Sequence, residues 1–140
     1  MSRDCIFCKI VRGEIPSHKI LEDENSFAFL DIHPLADGHT MIIPKDHIER
    51  FEDVPPVQLG KLFESVQRVT KSLKNSLKAP AVTIGINNGH AAGQVVPHLH
   101  IHVIPRFEND GGGSVHSIVK ISPTRSLEEV VRLLQSALKN

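Results

Sequence analysis

The run His98-Leu99-His100-Ile101-His102 places three imidazoles at strict two-residue spacing. In a strand successive side chains point to opposite faces. The three rings then share one face, roughly 6.6 to 7 Å apart, while Leu99, Ile101 and Val103 turn toward the core. Imidazole titrates near neutrality, ligates metals and attacks electrophiles. Two chemistries fit such a row. In one, the histidines hold a catalytic metal, a type of site that recruits a further ligand and a carboxylate base. In the other, the middle imidazole attacks phosphorus while its neighbours orient and neutralise the phosphate; neutral imidazole is nucleophilic at pH 7 and leaves readily once phosphorylated. Glu64 is the only acidic residue between Asp53 and His102, and it falls in a predicted helix. The shortage of carboxylates favours the nucleophile.

Just upstream, Asn87-Asn88-Gly89 and Gly93-Gln94 form a turn-rich approach to the histidine strand. Glycine lets backbone N–H groups come close to an anion, and Asn or Gln side chains can donate to it, so this loop is a candidate phosphate cradle. At the other end of the chain, Cys5 and Cys8 are too few and too close for a disulfide framework. A C-x-x-C pair in an intracellular chain points to metal or redox chemistry.

These groups must be positioned by a chain of 140 residues, which suffices for one core and one domain. Sixteen basic and sixteen acidic residues cancel, so no global field attracts nucleic acid or an anionic membrane. Six Phe with no Trp or Tyr argue against a base-stacking strip for single strands. No apolar run approaches the ~18 residues of a bilayer span and no signal-peptide core opens the chain, so a soluble cytoplasmic protein is expected.

The pattern predicts a short helical turn over Asp4 to Gly13, capped by Asp4 and stopped by Gly13. Strands are expected at Ile20 to Glu22, Ser26 to Ile32, His39 to Ile43, Ala81 to Asn87 and His98 to Ile104. Apolar residues at Leu59, Leu62, Phe63, Val66, Val69, Leu73 and Leu77 predict an amphipathic helix over Pro56 to Leu77. Ser126-Leu127-Glu128-Glu129 opens a final helix to Leu138 with a capping-box pattern. Strands, a helix and then more strands predict an α+β fold with an antiparallel sheet and two main helices.

The histidine strand, with Gly93-Gln94 before it and Pro105-Arg106 after it, resembles the signature of the histidine triad (HIT) family. Cys5-Ile6-Phe7-Cys8-Lys9-Ile10, Gly13-Glu14-Ile15-Pro16, Phe29-Leu30-Asp31-Ile32 and Gly38 through Ile48 extend the likeness in collinear order over about residues 5 to 106. It is strongest to the nucleotide-binding branch of bacteria and archaea. The resemblance implies a five-stranded antiparallel sheet joined to that of a partner in a homodimer, with a purine nucleotide in a cleft on each protomer. Nucleic acid and membrane are not expected as partners.

Carried over by position, His100 is the nucleophile that forms a nucleotidyl-histidine at the α-phosphate. His102 and the backbone near Gly93 hold phosphate oxygens, Asn87 donates to the phosphate, and Asp31 accepts from the ribose hydroxyls. Gln94 and Val95 belong to the same loop, Phe7, Ile10 and Phe29 line the base pocket, and His39 supports the triad. Some family members bind zinc through a pattern matching Cys5, Cys8, His47 and His98. Four such ligands close a tetrahedral site, so the metal would be structural, with no cofactor for catalysis. His18, His33, His90 and His116 read as loop or surface residues.

Two positions depart from the family. Val95 stands where many relatives carry Ser or Thr, and the tail from Phe107 lacks the short C-terminal motif of the animal relatives. The expected activity is hydrolysis of purine nucleoside phosphoramidates or related α-phosphate-linked nucleotides. Cleavage of dinucleoside polyphosphates, or a non-catalytic nucleotide-binding regulatory role, remains an alternative.

Overall fold

A computed structural model describes residues 2–139. The chain divides into two compact units, residues 1–110 and 111–140. The first contains helix α1 (Ile6–Val11), strands β1 (Lys19–Glu22), β2 (Ser26–Leu30) and β3 (Thr40–Pro44), helix α2 (Pro56–Leu77), and strands β4 (Ala81–Ile86) and β5 (Ile101–Arg106). The second contains one 3-10 turn and helix α3 (Leu127–Leu138). The two main helices fall where expected, at α2 and α3, and the helical turn expected over Asp4 to Gly13 is the short helix α1. Among the described residues no helix is long and apolar enough to cross a membrane.

The five strands form one antiparallel sheet in the order β1-β2-β3-β5-β4. Period-two alternation gives it two apolar faces. Ala28, Ile42, Leu99, Ile101 and Val103 pack with Leu62, Val66, Val69 and Leu73 of α2. On the other face Phe27, Phe29, Met41 and Ile43 pack with Cys5, Phe7, Cys8 and Ile10 of α1 and its cap. The α2 stripe follows the expected three- and four-residue steps at Leu59, Leu62, Val66, Val69 and Leu73, whereas Phe63 and Leu77 are exposed, and Pro56 occupies its first turn, where the missing N–H costs nothing.

Several boundaries differ from the sequence expectation. Cys5, not Asp4, caps α1, its sulfur accepting from the Cys8 N–H at 3.5 Å. Gly13, at φ +77°, ends the helix as expected: its N–H donates to Ile10 O and that of Glu14 to Lys9 O, a Schellman closure that needs a left-handed residue there. β2 stops at Leu30 because Asp31 turns away, its carboxylate accepting from the His33 N–H at 2.9 Å. His39 precedes β3, and Asn87 follows β4. β5 begins at Ile101, not His98, and runs on to Arg106. The His98 N–H donates to Val96 O at 2.8 Å in a bend and the Leu99 N–H to Ile48 O at 2.7 Å, so the first of these residues bond locally and to the segment after β3 instead of to β4.

A polar tie joins the sheet to α2. Ser65 donates to Asp23 Oδ2 at 2.8 Å, the Ser26 and Ser65 hydroxyls lie 2.6 Å apart, and Asp23 Oδ1 accepts from the N–H groups of Asn25 and Ser26. Burial opposes ionisation of Asp23, but these donors outweigh it and hold its carboxyl below the usual range.

Candidate active site

The alternation of the histidine strand survives the late start of β5. Leu99, Ile101 and Val103 enter the α2-side core, and His98, His100 and His102 project from the other face above α1. The ring centroids of His100 and His102 are 5.2 Å apart, and Phe7 meets His100 edge-on at 5.2 Å and His98 at 5.8 Å. Phe7, Ile10 and Phe29 are buried together as the apolar floor beneath the row, with Phe7 and Phe29 edge to face at 5.6 Å.

Backbone groups decide which nitrogen of each ring carries the proton, because a carbonyl can only accept and an N–H can only donate. His98 Nε2 lies 2.8 Å from Pro44 O, so Nε2–H donates and Nδ1 keeps its lone pair. His100 Nδ1 lies 2.8 Å from the His98 carbonyl, so Nδ1–H donates and Nε2 is left with the lone pair. The Leu35 N–H donates to His39 Nδ1 at 3.1 Å, which places the His39 proton on Nε2. That nitrogen is 2.9 Å from His102 Nδ1, which must accept, so neutral His102 carries its proton on Nε2.

Burial is the main cause that pushes His98 and His102 down to about 4; the neighbouring imidazoles push the same way. His39 is also lowered by burial, against the opposing pull of Asp31, whose Oδ2 is 3.6 Å away. At neutral pH His39, His98 and His102 are therefore uncharged, with an N–H on His102 and the outward Nε2 of His100 available to a ligand.

A second set of donors lies at the His98 end. Cys5 Sγ and Cys8 Sγ are 3.4 and 3.6 Å from His98 Nδ1, and Cys8 Sγ is 3.4 Å from His47 Nδ1. All four ligand atoms lie within 4.8 Å of one another. Tetrahedral zinc, with Zn–S about 2.3 Å and Zn–N about 2.0–2.1 Å, separates S from N by about 3.6 Å. The donor set fits zinc in ligand type and spacing, and the His98–Pro44 bond already turns the Nδ1 lone pair toward the sulfurs. Asp31, His39 and His102 are similarly close. They do not fit a metal, because the facing nitrogen of His39 carries a proton that the Leu35 N–H prevents from moving to Nδ1.

The loop before the triad behaves differently from expectation at one residue. Gln94 is buried and its amide is fully occupied: Oε1 accepts from the Gly89 N–H at 2.8 Å and Nε2 donates to Glu49 O and Val96 O. It holds the loop and has no group left for a phosphate. Asn88 does likewise, accepting from the Phe51 N–H and donating to Glu52. These partners in residues 48–52 went unread in the sequence, since nothing in their types marks them as loop anchors. Asn87 is exposed, and its amide nitrogen lies 3.9 Å from where a Cβ on Gly93 would stand, so the two share one corner of the site. Val95 is 89% exposed at the loop's outer edge.

This fold and this row of imidazoles coincide with a known family. The HIT domain model matches residues 12–109, and the chain belongs to the HIT domain family. It is 43% identical to an uncharacterized HIT-like protein of Methanocaldococcus jannaschii over 91% of this chain and 96% of that one. It is 41% identical to adenosine 5'-monophosphoramidase HNT1 of Candida albicans over 77% of this chain and 74% of that one. The same identity relates 79% of it to 56% of adenylylsulfatase HINT3 of Arabidopsis thaliana. Among solved structures, a Zn-bound histidine triad family protein from Mycobacterium smegmatis aligns with a TM-score of 0.74 at 38% identity, covering 97% of this chain and 94% of that one.

Proposed function

We propose that this protein is a nucleotide hydrolase that cleaves the bond between the α-phosphorus of a purine nucleotide and a leaving group through a nucleotidyl intermediate on His100. The observation that carries the reading is the tie from His100 Nδ1–H to the His98 carbonyl, which turns Nε2 outward as the nucleophile beside the Nε2–H of His102. His100 attacks, and His102 Nε2–H, the backbone at Gly93 and the Asn87 amide receive the charge that develops on the phosphoryl oxygens. Asp31 accepts from the ribose hydroxyls, and Phe7, Ile10 and Phe29 contact the base. Gln94 acts by shaping the loop, and Val95 stands at its rim. The fixed network costs no reorganisation during reaction, and no metal takes part in the step.

The activities named for HNT1 and HINT3 support a phosphoramidate or another α-phosphate-linked nucleotide as substrate. The Cys5, Cys8, His47 and His98 set would hold a structural zinc, joining the cap of α1 to the first histidine of the row. A second copy would complete a homodimer. The test is covalent trapping: a nucleotide substrate should leave an acid-labile nucleotide on His100, detected by mass spectrometry. His100→Ala should abolish turnover while nucleotide affinity stays within about tenfold, because the imidazole acts in the transition state. Undiminished hydrolysis by that variant would refute the reading.

A further inference from the structure

The two cysteines differ in what can reach them. Cys5 caps α1 and Cys8 stands three residues on, so both side chains come to the same end of the helix. Cys8 is sealed, at 0% exposure. Cys5 is 6% exposed and lines a cavity of about 370 Å³ together with Asp4, His47, Val95 and Val96. A water takes about 30 Å³ of liquid volume, so this space admits a molecule the size of hydrogen peroxide with room to spare. A small oxidant therefore meets the first sulfur and not the second.

The sulfurs are also close enough to join. They lie within 4.8 Å of each other and of the two imidazole nitrogens. A disulfide is about 2.05 Å long, so the closure needed is under about 3 Å, a distance that rotation of the two side chains can supply. When bound at these four ligands, zinc holds both sulfurs as thiolates, the form that attacks a peroxide.

We infer that Cys5 and Cys8 are an oxidation site for hydroperoxides, in which Cys5 reacts first, Cys8 closes a disulfide, and the metal they share is released. The release rests on the structural zinc of the proposed function; the disulfide does not. The Cys5 thiolate attacks the terminal oxygen of the peroxide, forming an S–O bond, while the O–O bond breaks and its electron pair leaves as hydroxide or alkoxide. The Cys8 thiolate then attacks the Cys5 sulfur, so that the S–S bond forms, the S–O bond breaks and hydroxide departs. Two electrons pass from the sulfur pair to the peroxide, and solvent protonates both leaving groups. A disulfide offers no thiolate, which leaves His47 and His98 alone of the four ligands. Phe7, between the two cysteines, meets His98 and His100 edge-on, so the oxidised turn lies directly against the histidine row.

The experiment treats the zinc-loaded full-length protein with hydrogen peroxide, follows released metal with a colorimetric zinc chelator, and maps the thiols by mass spectrometry after alkylation. Trypsin cuts after Arg3 and Lys9, so a single peptide, residues 4–9, carries both cysteines and loses two hydrogens when the disulfide forms. The protein should lose its zinc in step with that mass change, and dithiothreitol with added zinc should restore both. Dimedone captures sulfenic acid, and in metal-free, peroxide-treated variants it should label Cys5 of Cys8→Ser about tenfold faster than Cys8 of Cys5→Ser. The wild-type result decides without either variant. Zinc retained with both thiols free would overturn the inference, as would sulfinic acid on Cys5 with no disulfide. A protein that holds no zinc yet forms the disulfide would overturn the zinc reading and leave the reaction of the pair standing. Equal labelling of the two variants would overturn the order of attack.

Discussion

At one end of the histidine row a carbonyl decides the chemistry, and at the other an N–H does. Pro44 O accepts a hydrogen bond from His98 Nε2–H and leaves the Nδ1 lone pair aimed at two sulfurs. The Leu35 N–H takes the lone pair of His39 Nδ1 and leaves a proton between His39 and His102. The two clusters are alike in residue type and closeness, yet the first is arranged to accept a metal and the second is already filled by a proton. Donors within reach of one another do not make a metal site unless their lone pairs face the gap.

Removing Cys8 should separate the clusters most sharply. Cys8→Ser should eliminate bound zinc by elemental analysis and lower Tm by about 10 °C, since binding to the folded state contributes directly to stability. His39→Ala should leave the zinc content unchanged. Instead it removes the donor to His102, and kcat should fall about ten- to a hundredfold with KM nearly constant. Zinc loss in His39→Ala, or its retention in Cys8→Ser, would break the contrast.

A smaller effect follows from pH. The folded value of His102, about 4, lies below its ordinary 6.5. The unfolded chain therefore takes up a proton as pH falls through 6.5, while the folded protein resists until about 4. Stability contributed by this ring is fully present above pH 6.5 and is lost progressively toward pH 4. His39 is shifted in the same direction. Thermal melts across this range should show Tm falling as the pH drops, and by less in His102→Gln.

Much of this was legible from side-chain spacing. Period two placed Leu99, Ile101 and Val103 in the core opposite the imidazoles, and the α2 stripe from Leu59 to Leu73 followed from its helical steps. The resemblance brought Cys5, Cys8, His47 and His98 together across 93 residues of chain, as the structure does. What escaped depends on backbone partners far away in sequence. The start of β5 is set by Leu99 bonding to Ile48, and the role of Gln94 by carbonyls at Glu49 and Val96. Likewise nothing in the type of Leu35 reveals that its N–H fixes the proton on His39.

Nitrogen-15 NMR of the histidine side chains at pH 7 tests the central claim most directly. The account predicts neutral rings for His98, His39 and His102, each with its proton on Nε2, a hydrogen-bonded Nδ1–H on His100, and His102 still neutral at pH 5. A proton on His98 Nδ1 or His102 Nδ1, or a His102 that charges near pH 6.5, would contradict it.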